Sequence, residues 1–139
     1  MKILALEFSS QQRSVAIVDD SGVLSEITTD QLKTGPLVLI EQALQQAQIG
    51  REEIQRLALG IGPGSYTGIR SAIAVAQGWQ LARDTKLCAV SSAETLAATA
   101  RGNGLRGETH FIIDAQRHEY YHCTWQLDDQ TQQETTPLS

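Results

Sequence analysis

Residues 57–70 read LALGIGPGSYTGIR, which joins an apolar run to a glycine-rich turn and then to a stretch of small residues. The apolar run predicts a buried strand over residues 57–61, because it is short and is bounded by glycine. The residues after the turn predict a helix from about Thr67 to Arg83. A strand, a tight turn and a helix in this order indicate an α/β fold.

The glycine-rich turn supports two interpretations. Gly62 and Gly64 would let the backbone approach an anion closely, and the helix that follows would present unpaired N–H groups with partial positive charge. No lysine precedes Ser65, and Pro63 removes a donor, so the turn completes neither a Walker loop nor a dinucleotide fingerprint. Ser65 is also out of register for a hydrolase elbow and is predicted to cap the helix. A phosphate site and a turn needed only for packing both remain open.

The segments before the turn predict three strands and a helix. Residues 2–8, 13–18 and 22–28 are short and rich in Ile, Val and Leu, and turn residues separate the last two. Three consecutive antiparallel strands are expected. After Gly35-Pro36, apolar residues recur at a spacing of three and four as far as Ala47, which predicts an amphipathic helix that ends near Gly50.

The segments after the turn predict a strand over 86–90, a capping box at Ser91 and Glu94, a helix to about Arg101, and strands over 110–114 and 120–127. Glycines at 102–107 predict a boundary between a first subdomain, 1–105, and the start of a second, 106–139. Residues 128–139 are polar without periodicity and predict a loop or a frayed end. The whole order predicts a mixed sheet with helices on its faces.

Composition limits the functions that this chain can perform alone. A formal net charge of -5 opposes direct binding of a nucleic-acid backbone, so any RNA is expected to be held mainly by another component. Cys88 and Cys123 lie far apart in apolar stretches, which predicts two buried thiols rather than a redox pair or zinc ligands. The N-terminus lacks the pattern of a signal peptide and no run approaches the ~20 apolar residues of a membrane span, so a cytoplasmic location is expected.

Two pairs of residues are candidates for a metal site. His118 and His122 would share a helix face, but the neighbouring aromatic residues favour a strand, where residues at this spacing lie roughly 13 Å apart. Glu7 and Asp114 each end a predicted strand, and carboxylates at the tips of two related strands commonly position a divalent cation and nucleotide phosphates. Two solvated strand-end carboxylates are the alternative.

Four stretches resemble the TsaB/TsaD family. Residues 60–70, GIGPGSYTGIR, are similar to the family's GPGSFTGIR signature, and Gln77-Gly78 follows at the expected place. Residues 3–10, ILALEFSS, resemble its first-strand phosphate motif. Residues 90–96, VSSAETL, resemble the start of its third helix, and residues 113–121, IDAQRHEYY, resemble its IDARRGEVY segment. The likeness extends to about residue 125.

The resemblance implies an actin-like ATPase fold (ASKHA, ribonuclease H-like), with an N-terminal lobe and the start of a second lobe. It also implies a part in placing a threonylcarbamoyl group on N6 of adenosine 37 in tRNA. In this family TsaD is the transferase that uses metal and nucleotide, whereas TsaB (YeaZ) lacks the metal ligands and binds TsaD. Ser92 and Leu96 stand at the positions of TsaD's histidine pair, and leucine cannot ligate a metal. The sequence therefore resembles the TsaB branch, a partner-binding platform rather than an enzyme.

The resemblance further implies site residues and partners. The expected partner surface comprises Leu37, Ile40, Leu44, Ile69, Ala72, Ile73 and Ala76. The expected vestigial nucleotide or phosphate site comprises Glu7, Ser9, Ser10, Gly62, Gly64, Ser65 and Asp114. No catalytic residue, metal ligand or cofactor is assigned, apart from ATP and Mg²⁺ at a partner interface as the alternative. The expected partners are a TsaD-like transferase, a TsaE-like ATPase, a second copy when the chain is alone, and tRNA only through the complex; no membrane is expected.

The sequence departs from the family's pattern in three places, which weakens the expected nucleotide site. Glu7 replaces the usual aspartate, Phe8 replaces a small polar residue, and the chain ends before the rest of the second lobe, which leaves a complete nucleotide cleft unexpected. A truncated form, a degraded paralogue and a short natural form all fit this length. The rival interpretation is an actin-like ATPase or phosphotransferase in which Glu7 and Asp114 hold a cation with ATP.

Overall fold

The computed structural model describes residues 1–139 and contains two sheets and three α-helices. The elements are β1 (Ile3–Glu7), β2 (Arg13–Asp19), β3 (Gly22–Thr29), α1 (Pro36–Ala47), a 3-10 helix (Arg51–Glu53), β4 (Arg56–Gly60), α2 (Tyr66–Arg83), β5 (Lys86–Val90), α3 (Ser92–Gly102), β6 (Gly107–Gln116), β7 (Glu119–Leu127) and β8 (Gln132–Thr136). They form two compact units, of which the first comprises Met1–Ile61 with Ser65–Val90, and the second Gly62–Gly64 with Ser91–Ser139.

The sheet of the first unit has the strand order β3-β2-β1-β4-β5. β1, β2 and β3 are antiparallel neighbours, as predicted, whereas β4 pairs in parallel with β1 and β5 in parallel with β4. Leu6 stands opposite Val15 on one side and Leu59 on the other, so that the apolar phases of three strands coincide on one face. Each leucine buried there stabilises the fold by roughly 2 kcal/mol.

Two helices complete the core of the first unit. α1 buries Leu39, Ile40, Ala43 and Leu44, the stripe that recurs every three or four residues. The Ser25 hydroxyl donates to the Ala43 carbonyl at 2.8 Å and ties α1 to β3. α2 buries the small residues Ala72 and Ala76, which allow a close approach to the neighbouring elements.

The second unit contains α3 and the sheet β6-β7-β8, whose strands are all antiparallel. The predicted capping box at the start of α3 is confirmed, since Ser91 Oγ accepts from the Glu94 N–H at 3.1 Å and Glu94 Oε2 accepts from the Ser91 N–H at 2.9 Å. The buried side chains Ala93 and Ala97 pack in one cluster with side chains of β7. These contacts group α3 with the second sheet, so the compact units divide after Val90 rather than at the predicted residue 105.

Two predictions of local structure are wrong. Residues 128–139 are not a loop, because Gln132–Thr136 forms β8 along the edge of β7, and the backbone of Ser139 exchanges two hydrogen bonds with that of His122. Cys88 is exposed, because it lies on β5, an edge strand, whereas Cys123 is buried as predicted. Burial raises the pKa of the Cys123 thiol. None of the helices has the length and apolar character needed to cross a membrane.

Candidate functional site

The glycine-rich turn is hydrogen-bonded to the segment that follows β1. The Ser65 N–H donates to the Ser9 carbonyl at 2.7 Å, and the Gly68 N–H donates to Ser65 Oγ at 3.2 Å, which confirms the predicted cap. A Cβ at Gly68 would overlap the carbonyl oxygen of Phe8. Backbone donors that the anion interpretation needs are therefore partly used inside the protein, and these contacts favour the packing interpretation.

Glu7 lies beside this turn. Its carboxylate accepts from the Ser9 N–H at 2.7 Å and covers Gly60, where a Cβ would overlap the carboxylate oxygens. Gly62 and Gly64 have φ angles of 89° and 159°, which explains why the turn needs glycine at these positions. A negative charge on Glu7 would repel an incoming phosphate unless a cation lay between them.

The remaining candidates of the predicted nucleotide site make local contacts. The Ser10 hydroxyl donates to the Gln12 carbonyl at 2.7 Å within the β1–β2 turn. Asp114 belongs to the second unit, where its carboxylate accepts from the Gln116 N–H at 2.7 Å and shapes the β6–β7 hairpin. The structure contains no group of three or more His, Cys, Asp or Glu side chains arranged to hold a metal ion.

The histidines are arranged differently from the prediction. His118 lies in the β6–β7 turn with φ 64°, so only His122 is on a strand. His122 Nε2 lies 3.1 Å from His110 Nδ1, and Thr124 Oγ1 lies 3.0 Å from the same Nδ1. The ring centres are 5.3 Å apart. This is close to the nitrogen–nitrogen distance plus the radius of each ring, so the two rings meet edge to edge through these nitrogens. His110 was not among the predicted residues, because only its pairing across the two strands brings it close to His122.

Most residues of the expected partner surface are buried rather than exposed. Ile40, Leu44, Ala72 and Ala76 are at most 3% exposed and belong to the core of the first unit. The helical periodicity that singled them out is the periodicity of the face turned towards the sheet. Leu37 is 60% exposed. Ile69 and Ile73 are half-buried. They lie on one side of the buried stripe of α2, and Gly78 lies on the other side.

An apolar groove lies between α1 and α2 instead. Its volume is about 530 Å³, and we call it the α1–α2 groove. It is lined by Leu37, Arg51, Ala74, Val75, Gly78, Trp79, Ala82 and Arg83. Arg51 pairs with Glu41 at 2.7 Å, whereas Arg83 has no ion pair, and the buried indole N–H of Trp79 has no hydrogen-bond partner. Leu81 on the same helix is 90% exposed. Low amphipathicity of α2, with apolar residues on more than one face, is the sequence signal for this groove.

Comparison with known proteins accounts for this combination of turn and sheets. The profile of the family described as TsaD, tRNA N6-adenosine threonylcarbamoyltransferase, matches residues 2–136. The chain belongs to this family. Within the family it is 33% identical over 132 residues to "tRNA threonylcarbamoyladenosine biosynthesis protein TsaB" of Escherichia coli, covering 93% of this chain. Both the resemblance to TsaB and the family predicted from the sequence are thereby confirmed.

Solved structures agree with the family assignment. YeaZ from Pseudomonas aeruginosa superposes with a TM-score of 0.89 at 28% identity over 99% of this chain. A ROK hexokinase from Thermus thermophilus shares the fold at a TM-score of 0.54 and 15% identity, over 89% of this chain and 46% of that chain. The predicted actin-like α/β fold is therefore confirmed. The chain spans 57% of the length of the Escherichia coli relative and 65% of the YeaZ chain.

Proposed function

We propose that this TsaD-family chain is a non-catalytic partner-binding subunit that supports threonylcarbamoyl transfer to N6 of adenosine 37 in tRNA. In this proposal it pairs with a TsaD-like transferase, and a TsaE-like ATPase and tRNA join through the complex. The names of the relatives support the pathway, and a cytoplasmic location follows from it. The α1–α2 groove carries the proposal, because it is apolar, open and built from helices.

The groove suits a partner helix for a physical reason. Gly78 and Ala74 leave the α2 backbone uncovered, and an added Cβ at Gly78 would meet no atom within 4 Å. A helix can therefore approach α2 closely and bury its own apolar side chains against Leu37 and the Trp79 ring. The exposed Leu81 would gain burial in the same step.

The chemistry of the predicted nucleotide site favours a platform over the ATPase rival. Leu96 supplies no lone pair where a TsaD-like transferase is expected to place a metal ligand. Glu7 already accepts a backbone hydrogen bond and lies against the turn, so its carboxylate is held by the fold. ATP and Mg²⁺ are proposed only at an interface with the partner.

Co-purification with a TsaD-like transferase tests the proposal. Gly78→Arg fills the groove while it replaces a poor helix former by a good one, which removes a helix penalty of about 1 kcal/mol. We expect the wild-type chain to co-elute with the transferase and Gly78→Arg to bind at least about tenfold more weakly, a loss of ~1.4 kcal/mol. Circular dichroism should show unchanged helices.

The matched control is Gln80→Arg. Gln80 is exposed on α2 but points to the other side of the helix from Gly78, so this variant adds the same charge outside the groove. It should bind the transferase like the wild type. Equal binding by the wild type and Gly78→Arg would contradict the groove as the interface. A wild-type chain that never co-elutes would contradict the platform itself.

A further inference from the structure

Arg13 is a buried cation without a counter-ion. It is the first residue of β2 and is only 8% exposed. No carboxylate lies within ion-pair distance, and its buried Nε has no hydrogen-bond partner. A buried charge without a partner is unfavourable, so side chains of this kind normally have one.

The guanidinium is held in a defined orientation. Its central carbon lies 5.5 Å from the centre of the Phe8 ring, within the range of a cation–π contact, and Phe8 is completely buried. Nε is buried without a hydrogen-bond partner, which leaves the two terminal nitrogens as the part of the guanidinium available to a ligand. The planar fork formed by these two nitrogens is therefore the part that a ligand can reach, and it matches an oxyanion with two oxygens.

Neither neighbouring carboxylate pairs with the guanidinium. Glu7 lies on the other face of the sheet, because it pairs with Ser14 while Arg13 is in phase with the buried Val15. Asp30 follows Thr29, the partner of Arg13 on β3, and forms no ion pair with it.

We propose that Arg13 is the centre of a binding site for a small oxyanion of the phosphate class, held end-on by the two terminal guanidinium nitrogens. Arg13 is not one of the residues of the predicted nucleotide site, and Glu7 of that site points to the opposite sheet face. The proposed site is also independent of the α1–α2 groove, whose lining does not include Arg13. A cation anchored on an aromatic ring and lacking an internal anion is a pre-organised receptor.

Thermal unfolding with inorganic phosphate as the probe tests the site. We expect phosphate to raise the Tm of the wild-type chain by a few degrees over sodium chloride of equal ionic strength, because a ligand that binds only the folded state stabilises it. Arg13→Met should lose this phosphate-specific increase. Arg56→Met, which removes an exposed arginine from β4, should keep it.

Three outcomes of the unfolding experiment overturn the site. These are equal effects of phosphate and chloride on the wild type, a phosphate-specific increase that persists in Arg13→Met, and its loss in Arg56→Met.

If Arg13→Met fails to fold, Arg13→Lys replaces it, because lysine keeps the charge but not the fork. Calorimetry should then show phosphate affinity reduced at least tenfold in Arg13→Lys, and unchanged affinity would equally contradict the proposal. Asp30→Asn should bind phosphate at least as tightly as the wild type, whereas weaker binding would make Asp30 part of a different arrangement and overturn this one.

Discussion

At the scale of single residues, two glycines of α2 have opposite roles. Gly68 lies against the Phe8 carbonyl, where a Cβ has no room, whereas Gly78 faces open space. We expect Gly68→Ala to lower the free energy of unfolding by about 1–3 kcal/mol, because two backbone segments must separate. Gly78→Ala, the control, should raise it by up to about 1 kcal/mol through helix propensity. Urea unfolding of both variants checks this, and a stabilised Gly68→Ala would contradict the close contact.

Residue patterns in the sequence indicated burial better than they indicated function. The spacing of Ile40 and Leu44 identified the inner face of α1, and the family resemblance then placed these residues on a partner surface. A helix of this length that packs on a sheet has one apolar stripe, and that stripe faces the core. Arg13 carried a usable signal, since it alternates in phase with Val15 and Ile17 and so predicts an inward side chain.

At the scale of elements, the strands and helices of the first unit were predictable because their apolar alternation and caps are local. β8 was not, because its side chains Gln132, Gln133 and Glu134 are polar and show no alternation. It exists because the open backbone edge of β7 offers hydrogen bonds and because Asp128 forms the turn that leads to it. Pairing partners of this kind are a property of the folded sheet and cannot be inferred from composition.

The turn before β8 should be sensitive to acid. The Asp128 carboxylate accepts from the N–H and the hydroxyl of Thr131 and from the Gln130 N–H, and these bonds lower its pKa below the ordinary value. Its stabilising contribution is complete above the pKa of an unfolded aspartate and is lost as pH falls through the lower folded value. We expect β8 to detach from β7 over that range, seen as shifts of the Gln132 and Thr136 amide signals in NMR.

Two variants identify Asp128 as the titrating group. Asp128→Asn should remove the acid-induced shifts of β8, because its side chain does not titrate. Asp19→Asn changes a turn carboxylate of the first unit whose pKa is also lowered, there by the Ser21 hydroxyl and N–H, and it should leave the shifts of β8 unchanged. Shifts that persist in Asp128→Asn would assign the acid response to another group.

At the scale of the whole molecule, the proposed function would have one groove serve more than one partner. A second copy can dock on the α1–α2 groove only if the same surface meets itself about a two-fold axis, as in most homodimers. A TsaD-like partner would use the same groove from one side. The two complexes should therefore exclude each other, because neither Gly78 nor the Trp79 ring can be covered by two partners at once.

Light scattering after size-exclusion chromatography tests this competition. We expect the chain alone to elute as a dimer that dissociates on dilution, Gly78→Arg to elute as a monomer with an undiminished Tm, and Gln80→Arg to remain a dimer. Addition of the transferase should replace the homodimer by a one-to-one complex rather than build a larger assembly. A dimer that survives in Gly78→Arg would place self-association on another surface. A complex with two copies of this chain per transferase would show that the two interfaces are separate.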